Sequence, residues 1–279
     1  MNINIEYEAI YHYESSVSLS PHIVRIFPRR DMFTRLVAQT FHCGGGASVQ
    51  FQRDVHDNDT AFCFFPADTH QFDIRYSAKL EITPRNPLDF LLDSHGLNLP
   101  PVYSASELGL LMPHLYTNFA DPLPAPLAPV PGRPTVDTLM TMLRWMNDQI
   151  QYERRDEGDP MPPAQLLAKR VGSCRDYMAL LVEALRQNGV AARLVSGYLW
   201  EDPTLTRRVA DDALHAWVEA YLPGAGWLGL DPTNGVFCDH HAIPTAAGLV
   251  PDDISPVSGT YYGEQQIPSR LDTRLTVGP

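Results

Sequence analysis

Several features that the sequence lacks narrow what the protein does. No apolar run approaches the roughly 18–20 residues that span a bilayer, and the first residues carry neither the basic region nor the continuous apolar region of a secretory signal. None of the four cysteines forms a C-x-x-C pair, so no zinc site or thioredoxin-type motif is indicated. We therefore expect a cytoplasmic protein with free thiols, no bound metal, no cofactor and no membrane partner.

Basic residues are also scarce. The chain has 21 Lys and Arg against 33 Asp and Glu, which gives a formal net charge of −12 over 279 residues. Nucleic acids are bound by basic surfaces that neutralise phosphates, so this balance argues against a nucleic-acid partner. The length allows one large domain or two ordinary ones. Nothing in the sequence indicates the oligomeric state.

The first 85 residues or so have the pattern of strands. Apolar side chains alternate with polar ones from Ile3 to Tyr13, which is the period of a half-buried strand. Further strands are predicted at residues 18–28, 36–43, 48–54, 61–66 and 72–83, with turns at Gly44-Gly45-Gly46 and Asp57-Asn58-Asp59. Several short strands at this spacing predict an antiparallel β-sandwich-like domain over residues 1–120.

A change in composition marks the domain boundary. Residues 121–134 are dense in proline, which excludes both a helix and a central strand and predicts a stiff extended linker. Before it, short helices are predicted around residues 88–92 and 106–116. After it, residues 135–279 form the second domain, with helices predicted at 135–150 and 164–169. The fold class is therefore α+β.

Cys174 stands at the predicted start of another helix. Ser173 is a plausible N-cap, and Asp176 three residues later is an acidic variant of a capping box. An apolar stripe follows until Asn188-Gly189, a helix stop. The unpaired N–H groups and positive dipole end of the first turn stabilise a thiolate, so Cys174 is a candidate nucleophile. A partly buried structural cysteine is the alternative interpretation of Cys174 alone.

His215 and Asp231 fall on two strands joined by a glycine-containing turn. They meet on one face if Tyr221 opposes Trp227, with a five-residue loop, or if Tyr221 opposes Ala225, with a three-residue loop. A four-residue loop would place them on opposite faces. Residues 200–214, between the preceding strand and His215, are predicted to form a polar loop. Cysteine, histidine and aspartate together are the parts of an activated thiol nucleophile.

Three segments carry a resemblance to a known family. Gly172-Ser173-Cys174-Arg175-Asp176, His215-Ala216-Trp217-Val218-Glu219 and Asp231-Pro232-Thr233-Asn234-Gly235 resemble the transglutaminase-like superfamily. More narrowly, the chain resembles its bacterial two-domain members, which are often described as candidate cysteine proteases. The segments 41–46 and 253–260 resemble signatures of the same proteins. Ser173 departs from the apolar residue that commonly precedes the cysteine.

The resemblance implies a papain-like, transglutaminase-like core in which the helix with the nucleophile packs on an antiparallel sheet. It implies Cys174 as nucleophile, His215 as general base and acid, and Asp231 as the orienting carboxylate. The second oxyanion donor is not identifiable, and our candidates for oxyanion or substrate binding are Trp217, Gln165, Tyr152 and Asp176.

The predicted function is thiol-dependent acyl transfer on amide bonds of a peptide or protein substrate. With water as the acceptor the enzyme is a cysteine peptidase or amidase, which is the interpretation we favour. Alternatives are transfer to an amine, as in a transglutaminase, and a non-catalytic module that binds a peptide in the same cleft. The sequence contains no EF-hand-like oxygen cluster that would indicate calcium.

Overall fold

Mostly antiparallel β-sheets and short helices build the protein, which confirms the α+β class. The computed structural model describes residues 1–155, 158–200, 214–263 and 267–279. The strands are β1 (Asn2–Leu19), β2 (His22–Val24), β3 (Thr34–Cys43), β4 (Ser48–Arg53), β5 (Asp59–Phe64), β6 (Thr69–Ile82), β7 (Gln151–Tyr152), β8 (Val171–Gly172), β9 (Ala192–Leu199), β10 (His215–Leu222), β11 (Gly226–Asp231), β12 (Val236–Phe237), β13 (Ala242–Gly248), β14 (Val257–Ser258), β15 (Tyr261–Tyr262) and β16 (Ser269–Gly278). The helices are α1 (Ala105–Leu115), α2 (Thr135–Gln149), α3 (Pro163–Lys169), α4 (Cys174–Gln187) and α5 (Pro251–Ile254), and Ser94–Gly96 forms one 3-10 turn.

Two sheets pack face to face in the N-terminal half, as the alternation of apolar residues predicted. One sheet has the order β15-β1-β6-β3, with β16 also paired to β1, and the other has the order β14-β2-β5-β4. Ile3, Ile5 and Ala9 of β1 are fully buried and oppose buried residues of β6. Side chains of β2 and β5 complete the same apolar core.

The last strand belongs to this N-terminal sheet. β16 pairs with β1 from Asn4↔Gly278 to Tyr13↔Ser269. The predicted second domain, residues 135–279, therefore includes a strand that completes the first sheet. Pairing partners so far apart in the chain leave no local signal, because a strand pattern does not specify its neighbour.

The proline-rich segment lies against the second half of the molecule. Residues 121–134 form turns and irregular backbone, in agreement with the exclusion of helix and strand. Leu127 is fully buried, and its carbonyl oxygen accepts a hydrogen bond from the Asn188 side chain at 2.9 Å. Residues 88–92, predicted as a short helix, are irregular. The predicted loop at 200–214 lies almost entirely outside the described residues.

A five-stranded sheet, β12-β11-β10-β9-β13, carries the second half. Helix α4 packs on it through the predicted apolar stripe, since Met178, Leu181 and Leu185 are buried against Val218 and other strand residues. Burying such side chains contributes roughly 1.5–3 kcal/mol each relative to exposure. In the described part of the chain, no helix is long and apolar enough to cross a membrane.

Candidate active site

Cys174 is the first residue of α4, and the residues around it fix that start. Ser173 is extended, with φ −87° and ψ 170°, and Asp176 accepts hydrogen bonds from the Ser173 backbone N–H at 2.8 Å and hydroxyl at 3.0 Å. Gly172 packs so closely that a Cβ there would lie 2.6 Å from Leu166 Cδ1. The cysteine is therefore held at the helix N-terminus, where backbone N–H groups remain unpaired within the helix.

His215 and Asp231 meet because of the register of the β10–β11 hairpin. Tyr221 pairs with Trp227, which confirms the first of the two predicted registers; Leu222 also pairs with Gly226, so the turn itself is shorter than the predicted five residues. His215 begins β10, Asp231 ends β11, and His215 Nε2 lies 3.0 Å from Asp231 Oδ2. The two side chains are 6% and 4% exposed, which shields their interaction from water.

The Asp231 carboxylate accepts four hydrogen bonds. Oδ2 accepts from His215 Nε2 at 3.0 Å and from Asn234 Nδ2 at 2.7 Å, and Oδ1 accepts from the backbone N–H groups of Thr233 at 3.0 Å and Asn234 at 3.2 Å. Asn147 of α2 donates to the Thr233 carbonyl oxygen at 2.5 Å. These bonds fix the carboxylate and its turn. Asn234 belongs to the Asp-Pro-Thr-Asn-Gly motif, but the motif alone did not predict that Asn234 bonds the carboxylate.

The electrostatics favour a thiolate beside an imidazolium. Burial raises the pKa of the Cys174 thiol, but the hydrogen bond and charge of His215 and the backbone N–H of Ala216 outweigh it, so the pKa falls below its ordinary value. Burial lowers the pKa of His215, but Asp231 and Cys174 together raise it to about 10. The pKa of Asp231 is lowered, since His215 and Asn234 outweigh the effect of burial. With Nε2 engaged by Asp231, Nδ1 is the ring nitrogen available to the thiol.

A cleft of about 430 Å³ opens onto Cys174. Residues of α4 and the start of β10 line it, together with residues of β1 and β16. The N-terminal sheet is therefore part of the site. A separate cavity of about 140 Å³ lies against Trp217 and Trp227 and does not include Cys174.

Comparisons with known proteins bear on the family and the fold. Residues 130–232 match the model of the transglutaminase-like superfamily, and residues 3–81 match that of the bacterial transglutaminase-like N-terminal region. The chain belongs to the transglutaminase-like superfamily. The resemblance drawn from the three sequence segments is thereby confirmed, and the fold is one that supports thiol-dependent acyl transfer.

Relatives of this transglutaminase-like protein cover different shares of its length. An uncharacterized protein of Mycobacterium tuberculosis is 28% identical over 287 residues, 96% of this chain and 90% of its own. A protein-glutamine gamma-glutamyltransferase of Pseudomonas aeruginosa is 25% identical and covers 63% of this chain but 28% of its own length. The structure of a candidate cysteine protease from Cytophaga hutchinsonii superimposes with a TM-score of 0.72, covers 100% of this chain and 90% of its own, and at 15% identity shares the fold alone.

Of the four further residues predicted at the transglutaminase-like site, Tyr152 is the one that lines the cleft. It lies on β7, which pairs in parallel with β8 so that Tyr152 stands opposite Gly172. The prediction for Gln165 is wrong, because it lies exposed on α3 and outside the cleft. Trp217 is 2% exposed and packs with Val195, so its ring supports the sheet and does not line the cleft.

Asp176 is also not available to a substrate. It is fully buried and accepts hydrogen bonds from Arg155 Nη2 at 2.7 Å and the Met161 backbone N–H at 2.6 Å, in addition to its bonds to Ser173. The predicted substrate-binding or oxyanion role is therefore wrong. Its charge holds the segment before α3 against the first turn of α4.

One cluster has the residue types of a metal site. Potential ligand atoms of Asp239, His240 and His241 lie within 4.8 Å of one another. The Asp239 carboxylate is already 2.8 Å from His241 Nδ1, and the His241 ring stacks on Trp200 at 4.7 Å between centroids. We interpret these contacts as packing of the turn before β13. The predicted absence of a metal or cofactor stays a prediction.

Proposed function

We propose that this protein is a cysteine peptidase or amidase that hydrolyses a peptide or isopeptide-like amide through a thioester on Cys174. The observation that carries the proposal is the arrangement of His215, which bonds Asp231 at 3.0 Å and lowers the pKa of the Cys174 thiol. A thiolate, an imidazolium and an orienting carboxylate are the groups that amide cleavage by cysteine requires.

The first half-reaction forms the thioester. The Cys174 thiolate adds to the carbonyl carbon of the substrate amide. The carbonyl oxygen becomes an oxyanion beside the N-terminus of α4, where helix N–H groups stabilise negative charge. The His215 imidazolium then gives its Nδ1 proton to the leaving nitrogen as the C–N bond breaks. Asp231 keeps the other nitrogen protonated and orients the ring.

The second half-reaction releases the acyl group. Neutral His215 takes a proton from water, the resulting hydroxide adds to the thioester carbonyl, and the Cys174 thiolate leaves. An amine would follow the same route and give a new amide. The relative from Pseudomonas aeruginosa carries the name of such a transferase, which makes amine transfer the second candidate function.

Alkylation of Cys174 as a function of pH tests the proposal. We expect iodoacetamide to modify Cys174 rapidly at pH 7, and His215→Ala to slow this toward the rate of an ordinary thiol, whose pKa near 8.5 leaves about 3% as thiolate. Cys238, also half-buried, is the matched control, because Cys238→Ser removes a thiol outside the cleft. If Cys174 in the unmodified protein reacts no faster than an ordinary thiol, the enzyme proposal fails and a non-catalytic peptide-binding module becomes the better interpretation.

The acyl acceptor is tested on the acyl-enzyme itself. A peptide library is incubated with the protein in the presence and absence of a primary amine, and both products are identified by mass spectrometry. Hydrolysis predicts free carboxylates whether or not the amine is present. Incorporation of the amine as the main product would favour the transferase.

The remaining assignments are part of the same proposal. The substrate is a peptide or protein rather than a nucleic acid, in keeping with the net charge of −12. A cytoplasmic location remains a prediction from sequence, to be tested by fractionating cells that express the tagged protein.

A further inference from the structure

Side chains from one face of the N-terminal sheet form a wall of the cleft that contains Cys174. Tyr7 pairs with Leu275 and Tyr11 pairs with Leu271 in the β1–β16 register, and all four side chains line the cleft. Residues at even spacing along paired strands share a face, which explains why they form one row. From Tyr7 to Tyr11 the row extends about 13 Å at roughly 3.3 Å per residue.

The two tyrosines bring polar groups into an apolar wall. Tyr7 is 7% exposed, and the Tyr11 ring stacks on Phe72 with 4.5 Å between centroids and 3° between planes. Among the residues that the structure describes, none hydrogen-bonds either phenol hydroxyl. Burial raises the pKa of Tyr7 to about 12, so its hydroxyl remains a neutral donor. Neither hydroxyl oxygen is fully enclosed, so each is open to hydrogen-bond a ligand in the cleft.

Two arginines that line the cleft are committed to other contacts. Arg155 bonds the buried Asp176 carboxylate at 2.7 Å, and Arg175 donates to the carbonyl oxygens of Gly158 at 2.7 Å and Arg155 at 2.5 Å. The wall formed by β1 and β16 consists of aromatic and aliphatic side chains with Thr273 between them. This row is therefore suited to an uncharged segment of a ligand, whereas Arg154, Asp159 and Asp252 line other parts of the cleft.

We propose that this wall binds the acyl donor as an extended peptide with an apolar or aromatic side chain beside the reacting carbonyl. The side chain packs on Leu271 and Leu275, and the hydroxyls of Tyr7 and Tyr11 hydrogen-bond the peptide backbone. This inference rests on the proposed thiol chemistry and adds the substrate class. A row of about 13 Å matches about four extended residues, and a cleft of about 430 Å³ has the size of sites for small ligands rather than folded domains.

The test uses peptidyl acyloxymethyl ketones that differ only in the side chain beside the ketone, which is leucine, phenylalanine, glycine or aspartate. The rate at which each ketone labels Cys174 is compared with the rate for iodoacetamide, a small reagent whose reaction does not depend on binding to the wall. Tyr7→Phe and Tyr11→Phe each remove one hydroxyl and keep the ring. Tyr13→Phe is the matched control, since Tyr13 lies on β1, packs on Tyr261 and does not line the cleft.

We expect the leucine and phenylalanine probes to label at least about tenfold faster than the aspartate probe. Tyr7→Phe and Tyr11→Phe should each slow them by about threefold to tenfold, the effect of losing one neutral hydrogen bond, and should leave the iodoacetamide rate unchanged. Leu271→Lys, at a side chain already 41% exposed, should shift the preference toward aspartate.

Two results would overturn the inference. If iodoacetamide labels Cys174 rapidly but the ketones show no side-chain preference and no dependence on Tyr7 or Tyr11, the wall does not bind the acyl donor while the thiol chemistry stands. If iodoacetamide labels Cys174 no faster than an ordinary thiol, the proposed function fails and this inference fails with it.

Discussion

Replacing Asp231 by asparagine should change which nitrogen of the His215 ring carries the proton. Each oxygen of the Asp231 carboxylate accepts two hydrogen bonds. In asparagine an NH₂ group replaces one of these oxygens, so in either orientation of the amide this group faces two groups that donated to the carboxylate. The backbone N–H groups of Thr233 and Asn234 cannot become acceptors, whereas His215 Nε2 and the Asn234 side chain can. The amide NH₂ is therefore expected to face His215, which moves the ring proton to Nδ1, the nitrogen beside Cys174.

The magnitude follows from the same contacts. Burial lowers the pKa of His215, and Asp231 contributes the largest opposing effect in raising it to about 10. Without that charge we expect the ring to be neutral at pH 7 and the Cys174 thiol to return to an ordinary or higher pKa. A thiol of pKa 8.5 is about 3% ionised at pH 7, so alkylation should slow by about 30-fold. Turnover should fall further, by about 10³ to 10⁴, because the ring can no longer act as a base.

The assay combines alkylation of Cys174 by iodoacetamide with the pKa of His215 measured by NMR of labelled histidine. Asp239→Asn is the matched control, since Asp239 also bonds a histidine, His241, at 2.8 Å but lies outside the cleft. It should leave both measurements on the triad unchanged. A His215 pKa that stays near 10 in Asp231→Asn, together with an unchanged alkylation rate, would refute the reasoning.

Three further predictions concern stability. Asp176→Ala should lower the free energy of unfolding by about 2–4 kcal/mol, measured in urea, because it leaves buried donors and an arginine without their acceptor. Gly197→Ala should lower the melting temperature followed by circular dichroism, because the new Cβ would lie 2.2 Å from the Ile243 carbonyl oxygen. An unchanged melting temperature would show that β9 and β13 can move apart to admit a methyl group without loss of stability. Because the pKa of His215 is raised in the folded protein, the protonated ring stabilises the fold. This contribution is complete at a pH below the unfolded pKa near 6.5 and is lost as the pH rises through about 10. The urea midpoint should fall over that window, and His215→Ala should abolish this contribution.

Local signals predicted the helix that carries Cys174. Ser173, the apolar stripe and Gly189, which has φ +72°, mark its two ends and its buried face within a few turns of chain. Asp176 shows the limit of the same signals. Its capping position could be read from the sequence, but its complete burial depends on Arg155 and Met161, which reach it from another segment.

The hairpin register illustrates a choice that the sequence left open. Its glycines allowed loops of three, four or five residues, and only two of these brought His215 and Asp231 together. In the structure Gly224 has φ +87°, and a Cβ there would lie 2.4 Å from the backbone nitrogen of Asp93. Asp93 also donates to the Pro223 carbonyl oxygen at 3.0 Å. A distant segment thus packs against the turn and contributes to a geometry that the hairpin sequence alone does not specify.

The wall of the cleft depends most on distant contacts. The sequence predicted β1 as a strand but not its pairing with β16, and that pairing aligns Tyr7 and Tyr11 with Leu275 and Leu271. Because β6 pairs with the other edge of β1, the row is held from both sides. The Tyr198 hydroxyl of β9 donates to the Ile26 carbonyl oxygen at 2.7 Å and ties this half to the sheet of His215. Side chains held in this way form a preformed surface, so we expect selectivity to come from the fit of the acyl donor to the wall rather than from its closure.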